Sequence, residues 1–172
     1  MFLEAKNALV FKKGNETLLI EPWGKDSLRI RSTMERELID RPWALTEKVK
    51  SEKAKIKIEN GNGSITNGKI EARVNGNGII TLLKDGKIIL HEYFRSYDPS
   101  ATKESCCTKV IAREWKGIIG GDYKLTVRFE ANDGEKLFGM GQYPTPYLDM
   151  KGCSLELAQR NSQISIPFAI SN

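Results

Sequence analysis

Histidine and cysteine are nearly missing from this sequence. Its 172 residues hold one histidine, His91, and three cysteines, Cys106, Cys107 and Cys153. An odd number of thiols, two of them adjacent, builds no disulfide framework, and a single imidazole leaves no Cys/His spacing of the zinc kind. No metal and no cofactor are therefore expected, and the thiols read as free, buried side chains. A nucleophilic pair of His91 with Cys153 is the alternative, with no local pattern behind it. Long apolar runs are absent too, since none approaches the roughly 20 residues of a membrane helix. The amino end, MFLEAKNALVFKKG, has no basic start leading into an apolar core and a small-residue cleavage site. The expected address is cytoplasmic, with no membrane partner. Helical stripes are the last absence. Only Ser32 to Leu38 (STMEREL) offers a start, with Ser32 as cap and Glu35 closing a capping box; a loop around Trp43 is the other reading.

What is present is a globular composition, 40% hydrophobic and 28% charged, of a length that fits one domain spanning residues 1–172. The net charge of +5, from 27 basic and 22 acidic residues, invites a nucleic-acid reading. The arrangement argues against it. In EKVKSEKAKIKIEN, Glu47 to Asn60, lysines are interleaved with glutamates, and Lys53, Lys55 and Lys57 alternate with Ala54, Ile56 and Ile58, as on the solvent face of a strand. No nucleic-acid partner is expected. A nucleic-acid-binding β-domain stays as a rival that salt dependence of binding would test.

Strands are indicated almost everywhere. Asn67-Gly68, Asn75 to Gly78 and Asp85-Gly86 punctuate short runs rich in Ile, Val and Leu, and Asn-Gly and Asp-Gly supply the positive φ of tight hairpin turns. Lys69 to Val74, Ile79 to Lys84 and Lys87 to His91 should form an antiparallel meander. Further strands are predicted over Glu16 to Glu21, Ser27 to Arg31, Tyr123 to Glu130, Leu137 to Met140, Ser154 to Ala158 and Ile164 to Ile170. In Ser27 to Arg31, Leu28 and Ile30 alternate with Arg29 and Arg31, the period of a half-exposed strand. Arg95 to Ser105 reads as a polar loop. Many short strands with hairpin turns and almost no helix predict an all-β fold, a two-sheet antiparallel β-sandwich, with a closed barrel as the second choice.

The carboxyl-terminal fifth carries the most specific pattern. Phe138-Gly139-Met140-Gly141-Gln142 is followed by Leu148-Asp149-Met150-Lys151-Gly152, then Gln159-Arg160-Asn161, then Pro167-Phe168-Ala169-Ile170-Ser171. Four such elements in this order resemble the segment that closes the amino-terminal β-sandwich of glycoside hydrolase family 31, the α-glucosidases and α-xylosidases. The form with Gln142 and LDMKGCSLELAQRNSQ is more similar to the α-xylosidase branch. The resemblance implies a galactose-mutarotase-like sandwich. It also implies retaining hydrolysis by two aspartates on a (β/α)₈ barrel that follows the sandwich, one a nucleophile and one an acid/base. This chain has no strand–helix alternation and so contains no such barrel. The expected function is thus the amino-terminal domain of a retaining α-glycosidase of carbohydrate metabolism, packed on a barrel of the same full-length chain. Its substrate would be an α-linked xyloside or glucoside, and residues 1–172 alone should be inactive.

No catalytic residue is assigned here. The candidate substrate-binding residues are Arg160 and Asn161, because in the family the corresponding loop leans over the mouth of the barrel. Asn161 stands where the family carries an acid, so it offers an amide donor and acceptor without charge. Tyr143 and Tyr147, flanking Pro144 and Pro146, are either sugar-stacking faces or the packed core of a rigid loop. Gly139 and Gly141 are explained by close backbone approach at a strand end. Trp23, Trp43 and Trp115 read as core or interdomain residues. Asp149 and Glu156 are no acid/base pair, because nothing in the pattern shields one of them from water. A stand-alone carbohydrate-binding module is the alternative function, and homo-oligomerisation is left open.

Overall fold

The computed structural model describes residues 1–41, 45, 47, 49–98 and 106–172. They fall into two compact units, Met1–Glu130 and Ala131–Asn172, each taken by itself below. Every regular element among the described residues is a strand, and none is a helix long and apolar enough to cross a membrane. The predicted helix start at Ser32 is not formed. Ser32 lies in a strand and its hydroxyl donates to Glu16 Oε1 at 2.7 Å, while Glu35 N donates to Thr33 Oγ1 in a short turn.

In the first unit, strands β1 (Phe2–Ala5), β2 (Ala8–Lys13), β3 (Glu16–Pro22) and β4 (Leu28–Thr33) form one antiparallel sheet in sequential order. A second antiparallel meander follows: β5 (Lys55–Glu59), β6 (Asn62–Asn67), β7 (Ile70–Val74), β8 (Ile80–Lys84) and β9 (Lys87–His91). The hairpins turn where left-handed residues fall, at Lys6-Asn7, Asn60-Gly61 and Asp85-Gly86, each pair at positive φ. The two sheets face each other across one core. Leu9, Phe11, Leu18 and Ile20 of the first sheet pack with Ile65, Ala72, Val74 and Ile80 of the second. This is a two-sheet antiparallel β-sandwich, and burial of each large aliphatic contributes about 1.5–3 kcal/mol.

Polar side chains lock the sheets together. Asn67 is buried rather than exposed in a turn, and its Nδ2 donates to the carbonyls of Gly24 and Ser27 at 2.9 and 2.7 Å. The turn itself is Gly68-Lys69, and Lys69 N donates to Asp26 Oδ1. On the outward face of the second sheet, one polar row runs Lys57, Ser64, Arg73, Thr81, His91 through paired positions of all five strands. This is the solvent face expected of the lysine-rich stretch. Arg29 and Arg31 depart from expectation, being half-buried and paired with Glu21 and Asp40, and the Arg29 guanidinium lies over the Trp23 ring at 4.4 Å.

A hairpin of β10 (Arg113–Gly117) and β11 (Tyr123–Val127) completes the unit. Trp115 is half-buried, edge-on to Tyr123 at 5.9 Å. Arg113 ties the hairpin to the sandwich. Its Nη1 lies 2.5 Å from both oxygens of the buried Glu92, Nε donates to Glu16 Oε1 at 2.7 Å, and Nη2 donates to the Gly78 carbonyl. Trp43, and residues 99–105 of the expected polar loop, lie outside the described residues.

Candidate functional site

The second unit is built on β12 (Leu137–Gln142) paired antiparallel with β13 (Ile164–Ser171). The pairing slips in its middle: Gly139 faces Ala169, but Gly141 faces Ser165. Three residues of β13, Ile166 to Phe168, therefore lie opposite Met140 alone, and Pro167, which has no N–H to pair, falls inside that bulge. Gly139, Met140 and Gly141 all have positive φ, at 101°, 66° and 116°. A Cβ on Gly139 would sit 2.5 Å from the Phe168 carbonyl oxygen, and one on Gly141 would sit 1.9 Å from that of Ile164. The Gly-x-Gly spacing is thus a requirement of backbone approach.

The Leu148–Gly152 segment is pinned to the start of β12. Asp149 Oδ1 accepts from the amides of Lys151 and Leu137, both at 3.0 Å, and Met150 N donates to the Leu137 carbonyl. Those bonds from the Lys151 and Leu137 amides hold the Asp149 carboxyl below the usual carboxylate range. Asp149 is a loop clasp and not an acid/base.

The residues proposed to meet substrate sit in the loop before β13. Arg160 O accepts from Gln163 N at 3.0 Å, closing a turn whose inner positions are Asn161 and Ser162. Ser162 has φ 65°, the left-handed value that a type II turn demands at its third position. Arg160 and Asn161 are both exposed, so the loop brings the two predicted residues to adjacent surface positions. Arg160 Nη2 is ion-paired with Glu156 Oε2, one turn-length earlier in sequence.

Sequence reasoning missed what holds this loop. Gln159 Nε2 donates to Ser165 O at 2.9 Å, and its Oε1 accepts from Ser165 N at 3.3 Å. Ser165 Oγ donates to the Ala158 carbonyl at 2.9 Å. The Tyr143 hydroxyl lies 3.0 Å from both Ser165 Oγ and the Met140 carbonyl oxygen. Tyr143 is therefore part of the loop's core, whereas Tyr147 is 66% exposed. Ser154 to Ala158, expected as a strand, forms no ladder among the described residues.

The free thiols are not buried as expected: Cys107 and Cys153 are exposed and Cys106 is half-buried, since all lie in irregular segments outside the strands. Hydrogen bonds to Thr108 lower the Cys106 pKa. His91 Nδ1 lies 2.7 Å from Thr81 Oγ1. Among the described residues no group of His, Cys, Asp or Glu is placed to hold a metal ion.

No protein-family model matches the chain. A curated protein of Pseudescherichia vulneris, described as an uncharacterized family 31 glucosidase, is 42% identical over 99% of this chain and 34% of its own length. A crystal structure of a GH31 α-xylosidase from a soil metagenome, complexed with xylose, superposes with a TM-score of 0.91 at 40% identity, over 99% of this chain and 26% of that one. The chain is similar over nearly its whole length to part of two glycoside hydrolase family 31 proteins. It spans about a third of the length of the curated relative. An α-xylosidase of Saccharolobus solfataricus is 37% identical over 59 residues, 29% of this chain and 8% of its own length. The GH31 α-xylosidase of Xanthomonas citri, at 19% identity and a TM-score of 0.76 over 98% of this chain and 18% of that one, speaks for the shared fold.

Proposed function

We propose that these residues are the amino-terminal domain of a longer retaining α-glycosidase, α-xylosidase-like in preference and cytoplasmic, and that they act by packing on a catalytic barrel and lending a loop to the substrate mouth. The observation that carries the reading is the pinned turn bearing Arg160 and Asn161, in a chain that aligns over 99% of its length with a family 31 relative nearly three times as long. Neutral hydrogen-bonding groups suit sugar hydroxyls. The pairing with Glu156 offsets the charge of Arg160, and the exposed Asn161 brings an amide donor and acceptor suited to a hydroxyl.

An apolar face on the same unit supports the packing half of the proposal. Ile164, Ile166, Phe168 and Ile170 of β13 are each 51–61% exposed. Ile164, Ile166 and Phe168 line a groove of about 310 Å³ with Gly139 to Gln142. An apolar stripe of this kind marks a surface meant for a partner, and the remaining two thirds of a family 31 chain is that partner.

The test is an assay of the full-length gene product on aryl α-xylosides and α-glucosides, with the anomer of the first-formed sugar followed by NMR. Turnover with an α-anomer as first product supports the reading. A β-anomer, or no turnover on either substrate, contradicts it. In the same enzyme Asn161→Ala should raise KM or lower kcat/KM about fivefold, the scale of one lost hydrogen bond of about 1 kcal/mol.

A further inference from the structure

We infer that Gln159 is the positioning residue of the substrate-facing loop, an inference that rests on the proposed role of Arg160 and Asn161. The turn Arg160–Gln163 has one internal hydrogen bond, and its third residue, Ser162, is a non-glycine held at φ 65°. Alone, that is a weak fixture for two exposed side chains. The ends of the loop are closed instead by Gln159, whose amide offers one donor and one acceptor to the carbonyl and N–H of Ser165. This is the pattern by which a neighbouring strand would satisfy that residue, supplied here by a side chain six positions earlier.

The anchor is itself anchored. Ser165 pairs with Gly141 across the ribbon, its hydroxyl donates to the Ala158 carbonyl, and Tyr143 meets that hydroxyl from the loop after β12. Gln159 thereby ties Arg160 and Asn161 to the bulged centre of the ribbon, where Gly139 and Gly141 leave no room for adjustment. Gln159 acts through its neighbours; it is not assigned a contact with substrate.

The chemistry of the bridge supplies a test that a general loss of structure would not mimic. Gln159→Glu keeps the shape. When protonated, its carboxylic acid has one donor and one acceptor, like the amide; when ionised it has only acceptors and faces the Ser165 carbonyl oxygen. The bond to the Ser165 carbonyl is made only by the neutral form and favours it, while the Ser165 N–H favours the ionised form, so the transition lies near the ordinary glutamate value of about 4.3. In the full-length enzyme, KM on an aryl α-xyloside relative to the parent at each pH should be near one at the acid end. It should rise about tenfold as pH passes through that transition, with kcat changing less. Gln159→Leu should show the raised KM at every pH.

Asn161→Ala and Arg160→Ala, run in parallel, separate the two layers of the argument. If neither alters kinetics, the loop does not meet substrate, and the proposed role and this inference fall together. If they impair the enzyme while Gln159→Glu tracks the parent from acid to neutral pH, the loop role stands and Gln159 as its positioning residue is overturned. A Gln159→Glu ratio that is raised and flat with pH also overturns it, because the amide pattern would then not be what matters.

Discussion

Arg113→Met tests the interior of the Met1–Glu130 unit most sharply. The Arg113 side chain is 8% exposed and its partner Glu92 only 2%. Burial works to lower the Arg113 pKa, but the charge of Glu92 and the hydrogen bonds of Glu92 and Glu16 outweigh it, so the cation is held above the ordinary arginine value. Methionine keeps much of the apolar stem and removes three donor contacts. It leaves Glu92 buried with the Ile80 amide, at 2.8 Å, as its remaining donor among the described contacts. Stranding a buried carboxylate in this way costs about 3–5 kcal/mol. With a urea m-value of about 2 kcal/mol/M, the unfolding midpoint should fall by roughly 2 M, and Tm by about 10 °C. Adding Glu92→Gln removes the stranded charge while keeping an acceptor for Ile80, so the double variant should be markedly more stable than the two single losses sum to. A single variant within about 0.5 kcal/mol of the parent, or a strictly additive double, would refute the claim that this network closes the hairpin onto the sandwich.

Other expectations follow from the second unit. Gly141→Ala should disrupt the β12–β13 ribbon at a cost of at least about 2 kcal/mol, from positive φ and collision with the Ile164 carbonyl. Gly86→Ala, with φ 79° but open space around it, should cost about 1 kcal/mol; equal losses by denaturation in the two variants would remove the steric argument. Asp149 is a depressed carboxylate, so its clasp is complete above the unfolded value near 3.9 and is lost as pH falls through a lower folded value. NMR titration of the Leu137 and Lys151 amides should show a midpoint below about 3.9, and one at or above it would contradict the assignment.

The meander β7 to β9 was legible because Asn75 to Gly78 and Asp85-Gly86 mark its turns and apolar residues recur between them. Strands β1 and β2 were not. Their turn uses Lys6-Asn7 with no glycine, and Ala8, Leu9, Val10 and Phe11 are all buried, so no alternation betrays a strand. Ser154 to Ala158 misled in the opposite direction, since Leu155 and Leu157 alternate there without a ladder. In the candidate site, Arg160 and Asn161 were visible through resemblance, and the glycines through their spacing. Gln159 was invisible as an anchor, because its partner is the backbone of Ser165 and backbone partners leave no residue-type signal. Arg113 was hidden for a related reason: Glu16 lies 97 residues away and Glu92 lies 21, separations that no local pattern connects.

Residues 1–172 are proposed to carry the substrate loop but not the reacting carboxylates. Purified residues 1–172 and the full-length gene product, assayed side by side on an aryl α-xyloside, test it most directly. The expected result is hydrolysis by the full-length enzyme and none above background by a folded, strand-rich 1–172. Turnover by residues 1–172 that survives repurification would place the chemistry in this domain and refute the proposed division of labour.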